Sequence, residues 1–222
     1  MSILRAFFAL MLVIVVASCT YQGGLENPVT RKFTWFSYVN GDDIRKVCAG
    51  LGADRYRFVY NGIYQRQTRT YDVFFHAGKI KTLVTGEANL RQTSVQDLLG
   101  PWRGVSSEIL VTDKVLKDIK NSLISSAALQ PAPHGLRLYS DKFYWTVAAC
   151  VDGDFYFNAY LWPSKRWDDM VFDDLLLSLD NTGVKVEEPK RLSPLDIWGS
   201  MRDVNPFLLQ VGENGLIGFE GG

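Results

Sequence analysis

Histidine, cysteine and net charge are all scarce in this chain. Its 222 residues include two histidines, three cysteines, and 24 basic side chains against 24 acidic ones. His76 and His134 each sit near a turn glycine, Gly78 and Gly135. So few histidines exclude a histidine-rich zinc site and a His-Glu-x-x-His helix. No glycine-rich phosphate loop is present, and Gly104-Val105-Ser106-Ser107-Glu108 lacks the closing glycine of a nucleophile elbow. Without a basic excess, general electrostatic binding of nucleic acid is not expected, nor is a charge-driven contact with anionic membranes. No cofactor, no metal and no enzymatic activity are expected. One generic route stays open, because a glycosidase-style carboxylate pair is set by the fold and not by spacing.

Long apolar runs are equally few, and the one that matters opens the chain. Met1-Ser2-Ile3-Leu4-Arg5 carries one positive charge, Ala6 to Val16 holds no polar residue, and Ala17, Ser18 and Cys19 follow. A basic start, an apolar run and a small-residue exit make a secretory signal. The run is shorter than the roughly 20 apolar residues that cross a bilayer comfortably. Val16-Ala17-Ser18-Cys19 resembles the lipobox of bacterial lipoproteins: aliphatic, small, small, Cys. The resemblance covers residues 1–19, and the rest of the chain resembles no family in this way. It implies a diacylglyceryl thioether on Cys19, cleavage between Ser18 and Cys19, and acylation of the new amine. More than one acyl chain gives stable anchoring. Thr20 follows the cysteine where an Asp would favour inner-membrane retention, so the resemblance implies the outer membrane.

These signals divide the chain into a signal peptide over 1–18, a lipidated cysteine with a flexible tether over 19–31, and a single domain over 32–222. Gly23-Gly24 and Asn27-Pro28 mark the tether. With Cys19 lipidated, Cys48 and Cys150 are left in an oxidising compartment.

Aromatic residues are plentiful, at 13% with six tryptophans, which suits a β-heavy body. Phe33 to Val39 is expected to form a strand. Asn40 then caps a short helix whose apolar face is Ile44, Val47, Cys48 and Leu51. Asp54 to Phe75 reads as a hairpin turning at Asn61-Gly62. That turn pairs Tyr60 with Ile63, Phe58 with Gln65 and Arg57 with Arg66. One face, Tyr56, Phe58, Tyr60, Ile63, Tyr71, Val73 and Phe75, is expected inward. The other carries Arg55, Arg57, Tyr64, Arg66 and Thr68. Arg57 opposite Arg66 is unfavourable unless an anion lies between them, so Arg57, Tyr64 and Arg66 form a candidate anion or ligand contact. The competing reading is a solvated strand face, the norm for antiparallel sheets, with the arginines splayed or paired to nearby carboxylates.

Further on, Ile80 to Val84 is a short strand and Thr112 caps a helix over 113–128 with Val115, Leu116, Ile119 and Leu123 as its stripe. Asp152-Gly153 turns a second hairpin that pairs Cys150 with Phe155, Ala148 with Phe157 and Val147 with Asn158. Asp168 and Asp169 open a third helix. Together with Asp173 and Asp174 they read as helix N-terminal charges, since the spacing of a calcium loop is absent. Leu208 to Phe219 is a final hairpin or edge strand. Cys48 and Cys150 both point inward, as a disulfide or as two buried thiols, and the oxidising compartment favours the disulfide.

The expected fold class is α+β: an antiparallel sheet built of β-hairpins with about three packed helices. The expected protein is lipid-anchored through Cys19, faces the periplasm, and binds or scaffolds as an accessory subunit of a membrane or cell-wall complex, with an envelope protein as partner. Two alternatives stand beside it, a small-ligand or glycan binder using exposed Trp and Tyr, and a carboxylate-dependent hydrolase.

Overall fold

The computed structural model describes residues 20–50, 52–86, 99–191 and 207–221. Its strands are β1 (Arg55–Gly62), β2 (Gln67–Phe74), β3 (Lys79–Gly86), β4 (Val105–Leu110), β5 (Arg137–Tyr139), β6 (Phe143–Val151), β7 (Asp154–Leu161), β8 (Phe207–Val211) and β9 (Leu216–Gly221). A six-stranded sheet runs β4-β3-β2-β1-β6-β7, and a three-stranded sheet runs β5-β8-β9. Every pairing is antiparallel. The helices are α1 (Pro28–Asn40), α2 (Asp42–Val47), α3 (Gly100–Arg103), α4 (Asp113–Ser125), α5 (Lys165–Asp168) and α6 (Phe172–Ser178). That is more than the three expected, though only α1 and α4 reach 13 residues.

The central strands of the large sheet, β1, β2 and β6, are buried on both faces. On one, Tyr56, Phe58, Tyr60, Tyr71, Val73, Trp145 and Val147 pack under Leu116, Ile119 and Leu123 of α4 and Phe172 and Leu176 of α6. On the other, Val59, Tyr144, Ala148, Cys150 and Phe157 pack under Trp35, Tyr38 and Val39 of α1, with Leu209 and Val211 of the small sheet. The two faces follow from strand alternation: even residues of β1 and odd residues of β6 share one side.

Five sequence expectations are corrected, the first being the cap of the short helix: Asn40 ends α1, and Gly41, with no side-chain cap bond, precedes α2. Phe33 to Val39 is not a strand but the body of α1. Asn27 Oδ1 accepts from Val29 N at 2.9 Å and Thr30 N at 3.3 Å, Pro28 opens the helix, and Gly41 ends it at φ 70°. Trp35, Tyr38 and Val39 then share one buried face, so helical spacing outweighs β propensity. Residues 20–31 do not form a free tether: Leu25 is 3% exposed, Tyr21 N donates to Ser37 Oγ at 3.1 Å, and α1 has already begun at Pro28.

The first hairpin does not turn at Asn61-Gly62. β1 continues through both residues, and Arg66 N and Gln67 N return to Ile63 O at 2.8 and 2.9 Å. Arg57 therefore faces Asp72 and not Arg66. Asn61 is consumed elsewhere, its Nδ2 donating to Ser140 O and Lys142 O. The third helix does not open at Asp168-Asp169: these residues close the short α5, and α6 opens at Phe172. The capped helix is found as α4, with Thr112 Oγ1 accepting from Val115 N. The second hairpin has the expected pairs Cys150–Phe155, Ala148–Phe157 and Val147–Asn158. The final hairpin is β8–β9. Cys19 and Leu51 lie outside the described residues.

Candidate functional site

The main concentration of charge described here lies between the sheet and α1. Because β1 and β2 pair with Arg57 opposite Asp72, both side chains rise on the face that α1 covers. Arg57 is fully buried. Its Nε donates to Asp72 Oδ1 at 2.9 Å, its Nη1 to Asp43 Oδ1 at 2.7 Å and to Tyr38 O at 3.0 Å, and its Nη2 to Asp43 Oδ2 at 3.0 Å. Its carbon lies 3.8 Å from the Tyr38 ring centroid and 5.1 Å from that of Tyr21, a cation–π arrangement. Tyr38 Oη donates to Asp72 Oδ2 at 2.8 Å. Arg55 Nη2 donates to Asp43 Oδ2 at 2.9 Å. Two guanidinium groups thus meet two carboxylates in a closed, neutral cluster.

The electrostatics follow. Burial pushes the Asp43 carboxyl up, but the Arg57 hydrogen bonds and the Arg57 and Arg55 charges outweigh it and hold Asp43 below the usual range. Burial works against the charge on Arg57, yet Asp72, Tyr38 and Asp43 raise its pKa further. Burial, then Asp72, raises the Tyr38 phenol well above its ordinary value. Tyr21 is pushed up to about 12 by burial and by Asp72. A glycosidase-style general acid needs a raised carboxyl, and Asp43 is shifted the opposite way.

A small cleft opens beside the cluster. It holds about 90 Å³ and is lined by Tyr21, Glu26, Arg55, Asp72, Phe74 and Lys81, among others. Glu26 and Lys81 form an ion pair across its rim. Ligand pockets usually hold about 300–1,000 Å³, so this cleft fits at most a very small group.

The structure does not bring Arg57, Tyr64 and Arg66 into one site. Arg57 is enclosed by its carboxylates. Tyr64 belongs to an aromatic cluster, edge-on to Trp35 at 5.3 Å and to Phe207 at 4.9 Å. Arg66 lies 3.5 Å from Glu187. Of the competing reading, the solvated face is absent because α1 lies over it, whereas the arginines are paired to carboxylates. Asp43, Asp72 and Tyr38 were not singled out by sequence reasoning as partners of Arg57. Their signal was Asp72 in the next strand, hidden by the wrong register.

Cys48 and Cys150 are bonded, with sulfurs 2.10 Å and Cα atoms 5.5 Å apart. Cys48 sits in a 3₁₀ turn, Cys48–Gly50, directly after α2. Among the described residues no group of three or more His, Cys, Asp or Glu side chains is placed to hold a metal ion. Of the acidic residues near α5 and α6, Asp169 pairs with Lys165 at 2.8 Å. Burial raises Asp173. No described helix is long and apolar enough to cross a membrane. No protein-family model matches the sequence, and no curated protein matches it.

Proposed function

We propose that this is a lipid-anchored envelope protein, held through Cys19, facing the periplasm from the outer membrane, with a binding or scaffolding role as an accessory subunit of a membrane or cell-wall complex. The observation that carries this reading is Val16-Ala17-Ser18-Cys19 at the end of a short apolar run. The Cys48–Cys150 disulfide supports it, because such bonds persist in oxidising compartments. Three features favour a binding role over catalysis: the Arg57 cluster is neutralised internally, Asp43 is shifted away from acid catalysis, and the neighbouring cleft is small. We read the sheet as an assembly of β-hairpins, with β1–β2 and β6–β7 joined through β1 and β6.

The test is labelling with radioactive palmitate in a bacterium that processes lipoproteins. Label is expected in the wild type and lost in Cys19→Ala. Label that survives the substitution overturns the anchor. Crosslinking in intact cells is expected to recover one dominant envelope protein, and a clean result would shift the role to binding a small ligand or glycan.

A further inference from the structure

The described chain starts in a place that restricts how the body meets a membrane. Tyr21 is fixed on α1 by its amide bond to Ser37 Oγ and by an edge-on ring contact with Tyr38 at 4.7 Å. From there the chain runs back along the flank of the helix. Gly24 lies beside Thr30, and Leu25 O accepts from Arg31 Nη1 at 3.1 Å. The segment ends at the Asn27 cap. Residue 20 is therefore delivered beside the last turn of α1.

One residue separates Cys19 from Tyr21. Two residue steps reach about 7 Å when fully extended, whereas the 13 residues of α1 span about 20 Å. Cys19 cannot reach the opposite face of the sheet, where α4 packs. Beside the flank the chain follows lies the outer stripe of α1. Phe33 lies one turn before Ser37 and is 65% exposed, and Val29 lies one turn further and is 52% exposed. Lys32 is exposed beside them.

Resting on the reading of Cys19 as the anchor, we propose that the outer face of α1, formed by Val29, Lys32 and Phe33, seats on the lipid surface that receives the Cys19 acyl chains. The two apolar side chains enter the headgroup boundary, as the apolar side of an interfacial helix does. Lys32 keeps its stem along that surface and its ammonium at the phosphates. α4 then points away from the membrane, since it covers the opposite face of the sheet, and its exposed Ile124 (55%) serves as the control.

The experiment uses the full chain in membranes of a lipoprotein-processing bacterium. A photoreactive benzophenone residue replaces Phe33 in one variant and Ile124 in another. Palmitate labelling is run on both, and non-reducing mobility confirms the Cys48–Cys150 bond. Phospholipid adducts at position 33, with none above background at 124, are the expected result. Palmitate incorporation without adducts at 33, or with equal adducts at both positions, overturns this orientation and leaves the anchor intact. Absence of palmitate removes the anchor and this inference with it.

Discussion

Arg57 and Asp72 face each other across β1 and β2, Nε to Oδ1 at 2.9 Å, with Arg57 fully buried. Asp43 closes the guanidinium from the α2 side at 2.7 Å. Both carboxylates also face Arg55, 2.9 Å from Asp43 and 3.8 Å from Asp72, but Arg57 is the fully buried cation between them. Arg57→Met leaves both acids with the part-exposed Arg55 as their remaining guanidinium and is expected to cost about 3–5 kcal/mol, the usual penalty for breaking a buried ion pair. Asp72→Asn keeps Asp43 on Arg57 and is expected to cost clearly less. Urea unfolding of both variants measures the order. Equal losses would show that Asp43 does not neutralise Arg57 in the folded chain.

Acid should unfold the protein, and the sign follows from the carboxylates. Asp43, Asp54, Asp180 and Glu26 are all held below their ordinary values. In each, burial is the largest influence and raises the pKa, but hydrogen bonds and positive charges overcome it. A depressed folded pKa contributes stability that is complete above the unfolded value, 3.8 for an Asp. That stability is lost as pH falls through the folded value. Asp173, raised by burial, opposes the trend. Thermal midpoints are expected to hold near neutral pH and to drop below about pH 4. In Asp43→Asn the drop should be shallower, and an unchanged acid limb would remove Asp43 from the explanation.

The disulfide ties residues separated by 102 positions. Restricting so long a loop in the unfolded chain is worth up to about 4.7 kcal/mol in the chain-entropy model. It also joins the end of α2 to β6, the strand against which α1 and α2 pack. The double substitution Cys48→Ala/Cys150→Ala is expected to lower unfolding stability by about 2–5 kcal/mol. Reductant should destabilise the wild type and leave the double variant unchanged. A wild type indifferent to reductant under unfolding conditions would contradict this.

The two Xaa-Gly turns show what the sequence made legible. At Asp152-Gly153 both residues take positive φ, 51° and 93°, and the whole β6–β7 register followed from that dipeptide. Asn61-Gly62 carries the stronger turn signature, yet Asn61 is buried and spent on two carbonyls, and the chain turns beyond it. There Ile63 holds φ 67°, a conformation a β-branched residue rarely takes, so no composition rule points to it. The inward face of the first hairpin was still read correctly, because alternation survives a register error of an even number of residues. What covers the outer face was hidden. α1 looks like a strand by residue type, and its three- and four-residue spacing becomes visible only once Asn27-Pro28 and Gly41 are taken as its ends. Without that helix the arginine face reads as solvated, and the misplaced turn hides Asp72 as the partner of Arg57.

Gly41 is where α1 and α2 are fitted to the sheet, and it offers a controlled test of that fit. It joins the two helices at φ 70°. A Cβ there would stand 2.4 Å from Ala148 Cβ and 3.3 Å from the Phe155 ring. Gly52 has nearly the same backbone, φ 65°, with nothing within 4 Å of its added carbon. Left-handed backbone alone costs a non-glycine residue about 1–2 kcal/mol, so Gly52→Ala is expected to lose about that much. Gly41→Ala carries the same strain plus an overpacked contact worth about 1–3 kcal/mol. Its loss in urea unfolding should therefore exceed that of Gly52→Ala. Because the crowding is specific to one methyl group, adding Ala148→Gly should recover part of the excess in a double-mutant cycle, although Ala148→Gly alone destabilises β6. If the two glycine variants lose equally, the helices do not depend on close approach at Ala148. If the cycle shows no coupling, the contact yields by movement of α1 as a whole.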